Sequence, residues 1–258
     1  MVKKIKVVLV SYMNSWPFLF GLYKYSQLNN RIDIQIEYPS LCTQRLLQGE
    51  AQIGLIPVGS LPLFNRYFLV SNYCIGTNRE VASVLLVGDK PLKDMKAIYL
   101  DYQSETSNRL AYILAKEYWQ ISPRWLRSDR KYEKKIKGNI GGIVIGDRAF
   151  SERKKHIFSY DLAKHWYEYT GLPFVFAVWI STEPMDTEFL TLFNSALNYG
   201  VNNISATLEY FSKKLETNFS EVDAKFYLEH YIDYKFDEKK VEAMNLFLKK
   251  ISHYETNF

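Results

Sequence analysis

VVLVSYMNSWPFLFGL, residues 7 to 22, decides how the rest of the chain is read. Preceded by Lys3, Lys4 and Lys6, this apolar run has the outline of a secretion signal. Such a signal needs an unbroken apolar centre of roughly 7–15 residues and then small residues at a cleavage site. Here Ser11, Asn14, Ser15 and Pro17 interrupt the run, and YKYSQLNN follows it with no A-x-A-like pair. A second reading fits better: a buried strand IKVVLVS, a polar turn YMNS, and a helix opened by Pro17. Proline suits that position because its missing N–H would go unpaired there anyway. The stretch is then the first strand, turn and helix of a folded α/β protein, expected in the cytoplasm.

Outward from this stretch the alternation continues. IDIQIEYP alternates at period two, CTQRLLQGE reads as a helix stopped by glycine, and AQIGLIPV as a buried strand. Repeated units of this size predict a mostly parallel sheet covered by helices. VASVLLVGDKPLKD ends in a Gly, Asp and Pro cluster, which places a lobe boundary near residue 88. A second α/β unit follows: strand KAIYLD, helix SNRLAYILAKEYW, strand GGIVIGD, the short strand and helix of IFSYDLAKHWYEY, and the buried strand LPFVFAVWIS. After it the texture turns helical, with Leu190, Phe193 and Leu197 on one face and Val241, Met244, Leu248 and Ile251 on another. Ser220 with Asp223 fits a capping box, and Asp237 can cap the last helix. The expected organisation is residues 1–88 plus 176–258 as one discontinuous lobe, with 89–175 inserted as the other.

Composition excludes several classes. At 258 residues, with 47% hydrophobic and 24% charged residues, the chain is neither disordered nor a coiled coil. No run approaches the ~18 apolar residues of a membrane helix. Cys42 and Cys74 are too few for a disulfide framework or a structural zinc site and read as buried free thiols. The net charge of +5 is scattered, and the densest basic run, RSDRKYEKKIKG at 127–138, contains Asp129 and Glu133. That run reads as a solvated face, so nucleic acid is not expected, while small anionic ligands are.

In open α/β sheets ligands sit beyond the carboxyl ends of strands, and two-lobed proteins place them in the interlobe cleft. Five strand ends carry polar residues: SYMNS, IPVGS, VASV, DYQSETSN and IGDRAF. Taken singly, Asn14 is also a good turn residue, Ser104, Thr106 and Ser107 also cap a helix, and Asp147 also caps a turn. Ser83 reads as a hydroxyl inside a strand, where it needs a partner from ligand or backbone. His156, His165, His230 and His253 lack metal-ligand spacing and read as solvated. There is no P-loop, nucleophile elbow or dinucleotide fingerprint.

Taken together, SYMNSWPFLFGL, QGEAQIGLIPV, CIGTNREVASVLLV, DYQSETSN, IGDRAF and YDLAKHWYEYTGLPFVFAVW resemble the chorismate dehydratases of the futalosine route to menaquinone. The resemblance spans residues 5 to about 180, and TGLPFVFAVW is its most specific part. It implies a two-lobed type II periplasmic-binding-protein-like fold with a helical C-terminal segment and an interlobe cleft. It also implies a hydro-lyase that converts chorismate to 3-[(1-carboxyvinyl)oxy]benzoate with no cofactor and no metal. Carried onto this chain, Asn14 becomes the catalytic candidate, with Ser83, Ser104, Thr106, Ser107 and Asp147 as substrate-binding residues. One departure is that SETS stands where the family often has SRTS, so Glu105 removes an arginine from the helix start and leaves Arg109 or Arg148 to compensate. The partner expected is the small anionic substrate, with no nucleic acid and no membrane; the resemblance leaves a homodimer open. Two other readings stand beside the dehydratase: the sister dihydroxynaphthoate synthase branch, which opens with a different strand-end motif, and a solute-binding protein for a small anion.

Overall fold

The structure, a computed structural model, describes residues 4–28, 30–214 and 221–254. Contacts divide the chain into two compact units, Met1–Gly76 with Ala177–Asp237, and Thr77–Phe176 with Glu238–Phe258.

The first unit opens with β1 (Ile5–Val10), α1 (Trp16–Lys24), β2 (Ile32–Glu37), α2 (Pro39–Leu47), β3 (Ile53–Pro57) and β4 (Phe68–Thr77). Val7, Val8 and Leu9 are fully buried, so β1 is covered on both faces from Val7 onward, and that part of its sequence is continuously apolar rather than alternating. The polar turn after it is a single 3₁₀ turn, Met13–Ser15, and Pro17 stands in the first turn of α1. β2 lies at the sheet edge; its sequence alternates but its burial does not, for Ile32 is buried while Ile36 is exposed.

The second unit holds β5 (Val84–Gly88), β6 (Ala97–Tyr99), α3 (Glu105–Glu117), β7 (Arg124–Leu126), β8 (Ile140–Ile145), α4 (Asp147–Arg153), β9 (Phe158–Asp161) and α5 (Leu162–Thr170). The long strand β10 (Phe174–Ser181) begins in this unit and ends in the first. The remaining elements are α6 (Thr187–Val201), α7 (Ile204–Phe211), α8 (Glu221–Phe226), β11 (Asp233–Lys235) and α9 (Glu238–Tyr254). Asp237 stands immediately before α9; Ser220, the other proposed capping residue, lies outside the described residues.

The first sheet has the order β11-β4-β10-β3-β1-β2 and the second β7-β6-β8-β5-β9. Both are mixed rather than mostly parallel. β1 pairs in parallel with β2 and β3, but β10 runs antiparallel to β3 and β11 to β4. In the second sheet β6 is parallel to β7 and β8, whereas β5 is antiparallel to β8 and β9. That pairing explains why the second unit begins at residue 77 and not near 88: β5 is a central strand of its sheet.

Aromatic rings fill both cores. In the first unit the Trp179 ring meets Phe193 edge-on at 5.1 Å and Phe18 at 5.7 Å. Helices α1 and α6 touch backbone to backbone there, since a Cβ on Gly200 would sit 1.7 Å from the Pro17 carbonyl oxygen and one on Gly21 2.0 Å from that of Ala196. In the second unit Trp166, Phe174 and Phe247 form an edge-on triad with centroids 5.0–5.9 Å apart. Phe247 is on α9, which is why the last helix belongs to this unit. The basic run at 127–138 is not simply a solvated face, because Tyr132 is fully buried and Ile136 nearly so, packed with Leu85, Val87 and Val144.

Candidate functional site

The turn between β6 and α3 is the most densely bonded polar region of the second unit. Ser104 caps α3, its Oγ accepting the Ser107 N–H at 3.2 Å and lying 2.8 Å from the Ser107 hydroxyl. A serine there satisfies one of the free amides of a helix start, which carries the positive end of the helix dipole. Thr106 and Ser107 are buried in the first turn beside Glu105. Asn108 locks the turn from inside: its Oδ1 accepts the Asp101 N–H and its Nδ2 donates to the Asp101 carbonyl, both at 2.8 Å.

Asp101 is the hub beneath this turn. Its carboxylate, fully buried, accepts the Gln103 N–H at 2.8 Å, the Tyr132 hydroxyl at 2.8 Å and Arg148 Nη2 at 2.7 Å. Burial pushes the Asp101 carboxyl up, against the pull of Arg148 and the donors around it, and the same burial pushes the Tyr132 phenol up. Arg148 Nη2 also donates to Gln103 Oε1 at 2.8 Å, Nη1 bonds Glu133, and the guanidinium lies 5.3 Å from the centre of the Tyr102 ring. Both arginines considered as replacements for the missing one are therefore engaged, Arg148 here and Arg109 with Glu105 at 2.7 Å.

Arg148 and Asp147 open α4, and the glycine before them, Gly146, has φ 62° and ψ −150°, a conformation open essentially to glycine alone. Its N–H donates to the Ser83 carbonyl at 2.8 Å. A bonded path thus runs from Ser83 through Gly146, Asp147 and Arg148 to Gln103 and Ser104. Ser83 is buried, but it precedes β5 rather than lying inside a strand, because Ala82 before it takes a left-handed φ of 61° that no strand accommodates.

In the first unit, Asn14 sits in the 3₁₀ turn after β1. Ser15 pins that turn, its buried hydroxyl reaching the Val10 carbonyl at 2.5 Å and the Tyr12 carbonyl at 2.8 Å. The Asn14 carbonyl accepts the Tyr234 hydroxyl at 3.0 Å. Its side-chain Oδ1 is buried and has no hydrogen-bond partner among the described residues. The structure thus gathers Ser83, Ser104, Thr106, Ser107 and Asp147 into the second unit and puts Asn14 in the first. Sequence reading gave no role to Asp101, Gln103 or Tyr132; the first two stand inside the polar string at the strand end, and Tyr132 is hidden among lysines.

Two histidines are not solvated. His156 Nδ1 lies 2.9 Å from Asp89 Oδ1, and His165 Nδ1 accepts the Trp119 indole N–H at 3.3 Å; burial lowers the His165 pKa. Cys42 and Cys74 are buried free thiols, and burial raises the Cys42 pKa. Among the described residues no group of three His, Cys, Asp or Glu side chains could hold a metal ion, and no helix is long and apolar enough to cross a membrane.

The paired mixed sheets define a periplasmic-binding-protein-like α/β protein. A protein from Candida albicans described as having the generic periplasmic binding protein fold superposes with a TM-score of 0.66 at 14% identity, over 97% of this chain and 95% of that one. A protein from Archaeoglobus fulgidus gives 0.75 at 16% identity over 98% of both chains, and the periplasmic aliphatic sulphonate binding protein of Escherichia coli gives 0.62 at 12% over 100% and 93%. The model of a menaquinone biosynthesis family matches residues 5–253, and the chain belongs to that family. A chorismate dehydratase from Campylobacter jejuni subsp. jejuni serotype O:23/36 (strain 81-176) is 26% identical over 250 residues, covering 93% of this chain and 94% of that one.

Proposed function

We propose that this chain is a chorismate dehydratase, a cytoplasmic hydro-lyase forming 3-[(1-carboxyvinyl)oxy]benzoate and water. The observation that carries the reading is the near-full-length similarity to the Campylobacter enzyme within a menaquinone biosynthesis family. The chemistry of the polar strand ends supports it. Chorismate loses the ring proton beside its enolpyruvyl ether, giving a carbanion conjugated through a ring double bond with the ring carboxylate. Expulsion of the neighbouring hydroxyl then makes the ring aromatic, and the proton and hydroxide leave as water.

Much of the driving force resides in the substrate, so the protein's task is to orient it and exclude water. The side chains at hand suit that task. Asn14, Ser83, Ser104, Thr106 and Ser107 are neutral hydrogen-bonding groups, while the Asp101 carboxylate is already held by Arg148, Tyr132 and an amide. A substrate whose enolpyruvyl carboxylate serves as base needs neutral partners of this kind. In this reading Asn14 bonds a substrate oxygen, the α3 start receives a carboxylate, and Asp147 is a further substrate contact.

Purified protein given chorismate alone is expected to abolish the diene absorbance and yield the enolpyruvyl benzoate by mass spectrometry. Prior treatment with a chelator is expected to leave the rate unchanged. No conversion over a range of pH, with or without divalent metal, would move the reading to a solute-binding protein; formation of a dihydroxynaphthoate product in place of the enolpyruvyl benzoate would move it to the sister synthase branch.

A further inference from the structure

Asp161, at the end of β9, holds two pieces of backbone with one carboxylate. Its Oδ1 caps α5 by accepting the N–H groups of Ala163 at 3.0 Å and Lys164 at 3.1 Å. Its Oδ2 accepts the N–H groups of Val81 at 3.0 Å and Ala82 at 2.7 Å, in a segment 79 residues away in sequence. A cap needs only the first pair. The second pair gathers two consecutive amides of a segment that is otherwise unfavourable, because Ala82 is left-handed at φ 61° and carries a Cβ. Ser83 is the next residue. On its far side the Ser83 carbonyl takes the Gly146 N–H at 2.8 Å, and Gly146 itself holds a conformation essentially restricted to glycine. The backbone that presents Ser83 is therefore clamped on both sides: by the carboxylate of Asp161 on its N-terminal side and by the amide of Gly146 on its C-terminal side.

We propose that Asp161 is a positioning residue for Ser83, holding the left-handed Ala82 turn so that the Ser83 hydroxyl meets the substrate; this rests on the reading of Ser83 as a substrate contact. Strain at a non-glycine residue persists only where its surroundings over-determine it, and such sites cluster where a side chain must be aimed. The alternative, that the carboxylate merely stabilises the fold as a helix cap, leaves the second pair of amides and the left-handed alanine without a purpose.

The test combines a double-mutant cycle with hydrogen exchange. Asp161→Asn replaces one acceptor oxygen by an amide group that cannot accept from Val81 and Ala82, or else uncaps α5. It is expected to lower kcat by about tenfold or more with KM little changed, since small misplacement of an aimed group acts on the chemical step. In a Ser83→Ala background the same substitution should lower kcat by less than about twofold, because coupled groups are not additive. Ala82→Gly relieves the left-handed strain and frees the turn; it should lower kcat while leaving the melting temperature unchanged or raised. Exchange of the amides in segment 79–86 should speed up in Asp161→Asn. Multiplying effects of Asp161→Asn and Ser83→Ala, or unchanged exchange at Val81 and Ala82, would overturn the proposal. An inert Ser83→Ala in a protein that turns over chorismate would overturn it by removing the role of Ser83. If chorismate is not turned over at all, the functional reading fails while the exchange measurement still decides whether Asp161 holds this turn.

Discussion

The turn after β1 and the turn after β6 carry similar letters, SYMNS and DYQSETSN, yet they treat their polar groups in opposite ways. After β6 most of the polar atoms satisfy one another: Asp101, Gln103, Asn108 and Arg148 form one hydrogen-bonded set, with the Ser104–Ser107 cap between them in the chain. After β1, Ser15 is doubly bonded to the backbone while Asn14 Oδ1 is buried with no partner among the described residues. A connected network rigidifies what it holds, whereas a buried lone acceptor costs free energy until something bonds it. The turn after β6 is a scaffold that shapes a helix start; the turn after β1 is the one we propose keeps a side chain for a ligand.

The sharpest way to break this contrast is at Arg148. Arg148→Met strips the buried Asp101 carboxylate of its cation and is expected to destabilise by about 3 kcal/mol, read from urea melts. Adding Asp101→Asn should recover part of the loss, and a single substitution with no effect on stability would mean the network is not a scaffold. Asn14→Ala should do the reverse. With stability changed by about 0.5 kcal/mol or less, kcat/KM for chorismate should fall tenfold or more, toward the ~10²-fold loss of one positioned hydrogen bond. Near-normal turnover with a lowered melting temperature would reduce Asn14 to a turn residue and erase the difference between the two ends.

Ser104→Ala tests both sides of the comparison at once. Loss of the cap should cost about 1 kcal/mol, and loss of a donor at the α3 start should raise KM for the substrate; a changed melting temperature with an unchanged KM would leave the turn purely structural. The smallest effect is expected at the other end of α3. Burial raises the Glu117 pKa, but bonds from Lys250 and Tyr169 outweigh it and hold the carboxyl below its ordinary value. A depressed carboxyl stabilises above its unfolded pKa near 4.5, and that contribution is lost as pH falls through the folded value. Glu117→Gln should therefore flatten the acid limb of a thermal stability profile below about pH 4.5 and leave turnover at neutral pH unchanged.

Much of the fold was legible because its signals are local. The interrupted run at 7–22 shows a buried strand, a turn and a proline-opened helix within sixteen letters, and LPFVFAVWIS shows a strand buried along most of its length. What escaped reading depends on distant partners. Nothing near Arg148 announces Asp101, 47 residues earlier. Tyr132 and Ile136 are two apolar letters among lysines, so charge masks a core contact. His156 looked solvated because Asp89 is far away in sequence. Ser83 looked like a strand residue because alanine at 82 gives no hint of a left-handed turn, as glycine or asparagine would have done. The serines and the threonine proposed to meet substrate were visible as strand-end residues, whereas the groups that hold them were not.

The aromatic triad of the second unit has a bearing on how the chain is made. Trp166 and Phe174 are synthesised early, but Phe247, which meets both edge-on, follows only after the whole of residues 177–237 has been added to the first unit. At roughly 5–20 residues per second the ribosome delivers Phe247 about four to sixteen seconds after Trp166. The first unit can gather all its segments before the second can close. During that interval Trp166 and Phe174 lack the ring that meets both of them edge-on in the folded protein.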